Sequence, residues 1–365
     1  MVTCKDSIKG LSPYVAGKPI DEVKRDYGLS NVVKLASNEN PYGASKLAQN
    51  AMMQEISHIN LYPDGYAYDL REKLSNFYGI APDQLVFGTG SDGLIELICK
   101  TFCAPGDECV IPSPSFSLYE TNTLAAGAAP IVIGLDDRFR MNLPEMAKAI
   151  NPQTKVVWLC NPNNPTGEMV SQNAFKDFVN QVPDSVLVVV DEAYYEYARV
   201  NPEYPDSLKL LPEHKNMIIL RTFSKIYGLA GLRVGYGIAH ESLIKEMEKV
   251  RAPFNLNSIA QSAAAASLDD AAFVTETLQK NEENKRFLYQ EFTRMKLTYI
   301  PSHTNFIMVN VKRSAKDVFK KLLQCGYIVK GGHVLGMPEY LRVTIGTKEE
   351  CQGFVRSLAK VLEEA

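Results

Sequence analysis

Two stretches of the chain decide its fold, KVVWLCNPNNPTG at residues 155–167 and VLVVVDEAY at residues 186–194. Each begins with a short run of apolar, mainly β-branched residues and ends in polar or turn-forming residues. Strands that are apolar throughout are typical of the centre of a parallel sheet, where both faces are covered. The two stretches therefore predict central parallel strands with polar groups at their carboxyl ends.

The same alternation of short apolar runs and amphipathic, helix-length segments extends outward from about residue 31 to residue 237. It predicts an α/β fold, a large doubly wound domain with a mostly parallel sheet and helices on both faces. The predicted strands are Gln84–Phe87, Glu108–Ile111, Pro130–Ile133, Lys155–Leu159, Val186–Val190, Met217–Leu220 and Val234–Ile238.

The alternation of predicted strands and helices ends after Arg251, and no further strand is predicted before residue 297. We predict an N-terminal arm over residues 1–30 that contributes to a small domain, a large domain over 31–250 and a small C-terminal α+β domain over 251–365. In the last of these the expected helices cover 258–295 (one or two helices), 315–325 and 348–364, and the expected strands cover 297–300, 305–309, 327–330 and 341–345.

Composition excludes several classes of protein. The 365 residues include 39 Lys and Arg against 42 Asp and Glu, a formal charge of −3 that leaves no broad basic surface for nucleic acid. No apolar run approaches the roughly 20 residues of a membrane span, and the N-terminus lacks a signal-peptide pattern. We expect a cytoplasmic protein without nucleic-acid or membrane partners. Its seven dispersed cysteines are expected to be reduced thiols, and the group Cys99, Cys103 and Cys109 to be core residues without a metal.

Residues 88–93, GTGSDG, lie between a predicted strand and a predicted helix. Small residues let backbone N–H groups approach an anion, and a helix N-terminus adds partial positive charge, so the string predicts a phosphate cradle. It also matches G-x-G-x-x-G, which offers a nicotinamide dehydrogenase as an alternative. That alternative lacks its acidic residue at the end of the next strand, because Asp107 and Glu108 precede that strand. A structural turn with a helix cap is the third interpretation.

Other predicted strands end in polar residues that could belong to one site. Asn164 lies in a loop made rigid by prolines, Asp191 ends a buried strand, and Lys225 follows another. Taken singly, these residues are as expected for turns or surfaces. Together with the cradle, Tyr194 and Arg233, they supply an amine, a carboxylate, an amide, a phenol and a guanidinium, the set that pyridoxal 5′-phosphate needs.

Several motifs resemble those of a known family. TFSKIYGLAGLRVGY at 222–236, with the NPNNPTG and DEAY motifs, is similar to fold-type-I pyridoxal-phosphate aminotransferases. KLASNENPYG at 34–43 and LRVTIGT at 341–347 resemble the histidinol-phosphate aminotransferases among them. The resemblance implies transamination between L-histidinol phosphate and 2-oxoglutarate, which gives imidazole-acetol phosphate and L-glutamate in histidine biosynthesis.

The resemblance also implies roles for individual residues. Lys225 binds the cofactor aldehyde covalently and moves protons, and Asp191 pairs with the ring nitrogen. A homodimer with shared sites is implied, in which Tyr62 reaches the cofactor phosphate of the neighbouring subunit. The other implied contacts are Asn164 and Tyr194 on the ring hydroxyl, Phe116 stacked on the ring, Ser91, Asp92, Ser224 and Arg233 on the phosphate, and Arg342, Tyr14, Asn305 and Lys330 at the substrate.

Three departures from the family and three rival functions accompany this interpretation. Relatives often have Glu where Gly93 stands, Tyr where Phe116 stands, and Arg where Lys330 stands. A broader aromatic or phosphoamino-acid aminotransferase, or a decarboxylase on the same scaffold, would share the cofactor residues and differ in its substrate contacts. A non-catalytic ligand-binding protein is the rival from another class.

Overall fold

The computed structural model describes residues 2–11, 13 and 17–363. Tyr14, an expected substrate contact, lies outside the described residues. The strands are β1 (Val33–Lys34), β2 (Leu85–Gly88), β3 (Glu108–Ser113), β4 (Ala129–Gly134), β5 (Thr154–Cys160), β6 (Leu187–Asp191), β7 (Met217–Thr222), β8 (Gly235–Ala239), β9 (Thr298–Ile300), β10 (Phe306–Asn310), β11 (Tyr327–Ile328), β12 (Lys330–Gly331) and β13 (Tyr340–Thr344).

Strands β2 to β8 form one sheet in the order β2-β8-β7-β6-β5-β3-β4. Its strands pair in parallel except β8, which is antiparallel to both neighbours. The central strands are apolar throughout because each face of the sheet carries a core, with Val188 and Val190 in one and Leu187 and Val189 in the other. The predicted α/β fold with a mostly parallel sheet is thus confirmed.

Helices cover the sheet on both faces and begin with side-chain caps at several points. Ser45, Ser171 and Asn257 each accept a hydrogen bond from the backbone N–H three residues on, which satisfies a donor that the helix leaves unpaired. The α-helices are α1 (Ile20–Tyr27), α2 (Lys46–Glu55), α3 (Tyr68–Tyr78), α4 (Gly90–Phe102), α5 (Leu118–Ala126), α6 (Leu143–Lys148), α7 (Gln172–Val179), α8 (Tyr195–Ala198), α9 (Ser207–Leu210), α10 (Glu241–Glu248), α11 (Ser258–Ser267), α12 (Ala271–Arg294), α13 (Ala315–Gln324) and α14 (Lys348–Glu363).

A second, smaller unit packs α12, α13 and α14 on an antiparallel sheet of order β12-β13-β10-β9. The predicted strand over 327–330 is two short strands, of which β11 pairs in parallel with β1. Leu35 packs in the core of this unit, so the chain joins the large unit later than residue 31.

Helix α11 does not follow the predicted division at residue 251. Its residues Ala260, Ala263 and Ala264 are fully buried in the core of the large unit. Small side chains allow this close approach of α11 to α2. Farther along, Val274 of α12 packs in the same core, whereas Leu288 and Phe292 of α12 pack in the core of the smaller unit.

Two further observations concern the described part of the chain. No helix in it is long and apolar enough to cross a membrane. Its seven cysteines are free thiols, of which Cys99, Cys109, Cys160 and Cys351 are buried.

Candidate active site

The polar residues that follow the strands of the large sheet meet at one edge. Asp191 ends β6, Asn164 lies in the loop after β5, and Lys225 follows β7 by three residues. Asn164 and Lys225 line a cavity of about 390 Å³, a size typical of small-ligand sites. Ten of the expected residues line it: Ser91, Asp92, Phe116, Asn164, Tyr194, Ser224, Lys225, Arg233, Lys330 and Arg342.

One end of the cavity is built to hold an anion. The Arg233 guanidinium lies 2.9 Å from an Asp92 carboxylate oxygen and 3.4 Å from the Ser224 hydroxyl, beside the N-terminus of α4. Gly90 permits this approach, since a Cβ there would lie 2.7 Å from Nη2 of Arg233. Arg233 itself has a left-handed backbone (φ 55°), a conformation that non-glycine residues adopt mainly where the surroundings impose it.

Lys225 lines the cavity with its amine. Its Nζ lies 3.4 Å from the Ser37 carbonyl oxygen, to which it donates, and 5.6 Å from the centre of the Tyr194 ring. Burial lowers the pKa of the ammonium to about 8, and the nearby charge of Arg342 acts in the same direction. A substantial fraction of the amine is therefore neutral near physiological pH, as a nucleophile or proton acceptor requires.

Asp191 lies behind the cavity wall, 3% exposed. The Tyr119 hydroxyl donates to Oδ2 over 2.6 Å, and the Ala193 N–H donates to Oδ1 over 3.2 Å. Burial raises the pKa of this carboxyl to about 6, against the effect of the Tyr119 hydrogen bond. A cation placed opposite the carboxylate would offset that cost of burial.

Hydrogen bonds connect the two units across the cavity. Arg342 donates to Oδ1 of Asn164 over 2.5 Å and to the Ala36 carbonyl over 2.7 Å. Asn38, which has a left-handed backbone (φ 58°), donates to the Tyr194 hydroxyl over 2.8 Å and accepts from the Thr344 hydroxyl over 3.0 Å. These bonds hold the amide and phenol of the large unit in register with the small unit.

The other end of the cavity carries two cationic side chains. Lys330 and Arg342 are directly paired residues of β12 and β13. Partial burial and the charge of Arg342 lower the pKa of Lys330. This pair of cations can receive a second anion, and the charges of both Arg342 and Arg233 act on the amine of Lys225.

Besides Asp191, two expected residues in the described part of the chain lie away from the cavity lining. Asn305 is 1% exposed and donates to the Asn38 carbonyl over 2.9 Å, so it supports Asn38 and does not face the cavity. Tyr62 is 83% exposed and stacks on Phe254, with 4.7 Å between ring centres.

Comparison with known proteins identifies the family. A family model described as aminotransferase class I and II matches residues 30–358. The chain belongs to this aminotransferase family. Among curated relatives, the histidinol-phosphate aminotransferase of Halalkalibacterium halodurans is 46% identical and covers 99% of this chain and 97% of its own. That of Bacillus pumilus is 48% identical, with 98% of each chain covered.

Solved aminotransferase structures agree with the fold. The crystal structure of histidinol-phosphate aminotransferase from Sinorhizobium meliloti in complex with pyridoxal 5′-phosphate superimposes with a TM-score of 0.92 at 25% identity. The match covers 100% of this chain and 98% of that one. The fold expected from the motifs is therefore that of a known aminotransferase.

Sequence reasoning missed three residues of this aminotransferase site. Tyr119 packs edge-on against Phe116 and stacks on Trp158, and its spacing three residues after Phe116 at the start of a helix was the available signal. Asn38 and Glu39 lie within a motif that was quoted only for its resemblance. Asn38 contacts Thr344, which is 306 positions away, and spacing in the sequence does not reveal such a contact.

Proposed function

We propose that this chain is a pyridoxal-phosphate-dependent histidinol-phosphate aminotransferase. It would transfer the amino group of L-histidinol phosphate to 2-oxoglutarate, with glutamate as the second product. The observation that carries the proposal is a buried amine, Lys225, between two separate anion sites in one cavity. One anion site suits the cofactor phosphate, and the other suits the anionic end of the substrate.

The residues present fit the cofactor. Ser91, Ser224 and Arg233 would hold its phosphate at the N-terminus of α4, where glycine leaves room for close contact. Phe116 offers a ring face, and the Asn164 amide and Tyr194 phenol are hydrogen-bonding groups on the cavity wall.

Asp92 contributes differently from the expectation. Its carboxylate is bound to Arg233 and would repel a phosphate, so its contribution to that site is its backbone N–H in the first turn of α4 and its hold on Arg233.

When bound, pyridoxal phosphate supplies an electrophilic carbon and a conjugated ring that withdraws electrons from the substrate Cα. Lys225 Nζ, with a pKa near 8, would remove the proton from that Cα and return it during the transfer. Asp191 would keep a negative charge in a buried position, where water cannot screen it. Tyr119 and the Ala193 N–H orient that carboxylate.

Arg342 and Lys330 would bind the anionic groups of both substrates. Histidinol phosphate carries a phosphate and glutamate carries carboxylates, so one site must accept two shapes of anion. The planar fork of Arg342 can form two parallel hydrogen bonds with either group, whereas Lys330 acts as a point charge.

A panel of amino donors with 2-oxoglutarate tests the function. We expect histidinol phosphate to have the highest kcat/KM, with glutamate formed in equal amount to the keto product. A preference for phenylalanine or tyrosine would indicate the broader aromatic aminotransferase. Carbon dioxide release without glutamate would indicate a decarboxylase.

We also propose a homodimer in the cytoplasm. Exposed apolar side chains on residues 53–68 support the dimer: Met53, Ile56, Ile59, Leu61, Tyr62, Tyr66 and Tyr68 are 56–83% exposed. An apolar surface of this kind is typical of a protein interface. A second copy of the chain would cover it and bring its own Tyr62 toward this cavity. The free cysteines support a reducing compartment.

Mixed dimers of Lys225→Ala and Tyr62→Ala subunits test the shared site. If Tyr62 acts in the partner's site, one of the two sites in each hybrid has both native residues, and activity returns to about half that of the wild-type dimer. Activity no higher than the average of the two mutant homodimers would contradict the shared site.

A further inference from the structure

The carboxylates that line the cavity within the described residues have different partners. Asp92 is held by Arg233 at the phosphate end. Glu39 is the second carboxylate, and it belongs to the segment whose Ser37 carbonyl accepts from Lys225 Nζ. Glu39 therefore lines the same cavity as the reacting amine, and its negative charge opposes the lowering of the Lys225 pKa. A negative charge there is unexpected in a cavity that otherwise receives anions.

The backbone around Glu39 is firmly placed. Asn38 and Asn40 on either side are 1% and 9% exposed. The N–H of Asn38 donates to the Thr344 hydroxyl over 3.0 Å, and the Asn40 amide donates to the Ile226 carbonyl over 2.7 Å. The carboxylate of Glu39 thus projects from a rigid segment, which is what selective recognition of a ligand requires.

The ion pair of Glu39 leaves it able to bind a ligand. Lys34 Nζ donates to its Oε1 over 2.7 Å, and the two side chains remain 24% and 44% exposed. Pairs with this exposure contribute little to stability, because water and salt screen them. In the described residues Lys34 contacts one of the two carboxylate oxygens, so Oε2 can accept a hydrogen bond from a ligand in the cavity.

We propose that Glu39 determines the specificity for the amino donor. Its carboxylate would accept a hydrogen bond from the imidazole N–H of histidinol phosphate. The proposal rests on the proposed function. Histidinol phosphate carries an anion at one end and a ring N–H donor at the other, which matches cations at Lys330 and Arg342 together with a carboxylate at Glu39. Glutamate has no such N–H donor.

The test compares two donors that share the amino alcohol phosphate and differ in their ring, L-histidinol phosphate and L-phenylalaninol phosphate, in single turnovers of the holoenzyme. The second has an aromatic ring without an N–H. We expect Glu39→Gln to lower kcat/KM for histidinol phosphate about tenfold and to change it less than twofold for phenylalaninol phosphate and for glutamate. The ratio between donors cancels any effect of Glu39 on Lys225, since that effect is common to all of them.

Lys34→Met is the matched control, because it removes the ion pair and keeps the carboxylate. We expect it to retain the wild-type preference for the imidazole donor. An equal loss on all three donors in Glu39→Gln, or no loss on any, would overturn the proposal. Failure of the proposed function is separate: the wild-type enzyme would then show no preference for histidinol phosphate in the first place.

Discussion

The two ends of the cavity are built in different ways. At the cofactor end, the polar residues come from three neighbouring strands of the sheet: Asn164 follows β5, Asp191 ends β6 and Lys225 follows β7. At the substrate end, Arg342 and Lys330 come from the small unit, and Glu39 follows β1. The first end depends on short motifs at strand ends, and the second depends on how two units meet. Variants at the two ends should therefore fail in different steps.

The largest effect is expected at the cofactor end. Lys225→Ala should lower turnover by at least the 10²–10⁴-fold that general acid–base catalysis typically contributes. Binding of the cofactor phosphate should persist, because Arg233 and the N-terminus of α4 do not contact the lysine in the structure. Steady-state kinetics and a measurement of the pyridoxal phosphate that denaturation releases from the purified protein check both parts. Lys209→Ala, at an exposed position, is the control. Residual turnover within about tenfold of the parent would contradict the role of Lys225.

Asp191→Asn should separate stability from function. The pKa of the buried carboxyl rises from 3.8 to about 6 in the fold, so its stabilising contribution is present below pH 4 and is lost as the pH rises through 6. In the cofactor-free protein, we expect the free energy of unfolding of the variant to exceed that of the parent by up to about 3 kcal/mol at pH 8. Near pH 4 we expect the two free energies to be equal. Cofactor affinity should fall.

Urea unfolding at both pH values, with and without pyridoxal phosphate, measures these quantities. A variant that is less stable than the parent at pH 8 without cofactor would show that the carboxylate is a structural group. Unchanged cofactor affinity would show that Asp191 does not face the cofactor ring.

At the substrate end, Arg342→Lys keeps the charge and removes the planar guanidinium, which can form two parallel hydrogen bonds with one anion. Charge-assisted hydrogen bonds contribute about 1.5–3 kcal/mol, so we expect kcat/KM to fall about tenfold or more for both histidinol phosphate and glutamate. Cofactor affinity should change little. Single-turnover measurements of both half-reactions check this, with the exposed Arg140→Lys as control. Wild-type values in both half-reactions would place Arg342 outside the substrate site.

The two ends also differ in what the sequence could predict. Strand β6 is predictable because VLVVV leaves few alternatives to a doubly covered strand, and Asp191 follows it directly. The position of α11 was not predictable, because its alanines suit a helix in either unit and only the fit against α2 decides. Asn38 was missed for a similar reason: its partners Tyr194 and Thr344 are brought to it by the assembly of both units.

The smallest effect is expected at Tyr119, which contacts Asp191 and no part of the cavity lining that was predicted to touch substrate. In the parent, the 2.6 Å hydrogen bond from Tyr119 to Oδ2 lowers the pKa of Asp191, and Tyr119→Phe removes this bond. The carboxyl should then stay protonated to higher pH, and cofactor affinity should fall by up to about tenfold near pH 6, a loss consistent with one hydrogen bond to a charged group. Near pH 8 the loss should be smaller. Titration of the cofactor-free protein with pyridoxal phosphate at both pH values measures this loss of affinity.

Tyr204→Phe is the matched control, since it loses a 2.6 Å hydrogen bond from a buried hydroxyl to the Asn161 carbonyl and leaves Asp191 untouched. If both variants weaken cofactor binding equally and without dependence on pH, Tyr119 acts through packing alone. If only Tyr119→Phe shows the pH-dependent loss, the hydrogen bond sets the charge of the group that the cofactor ring meets.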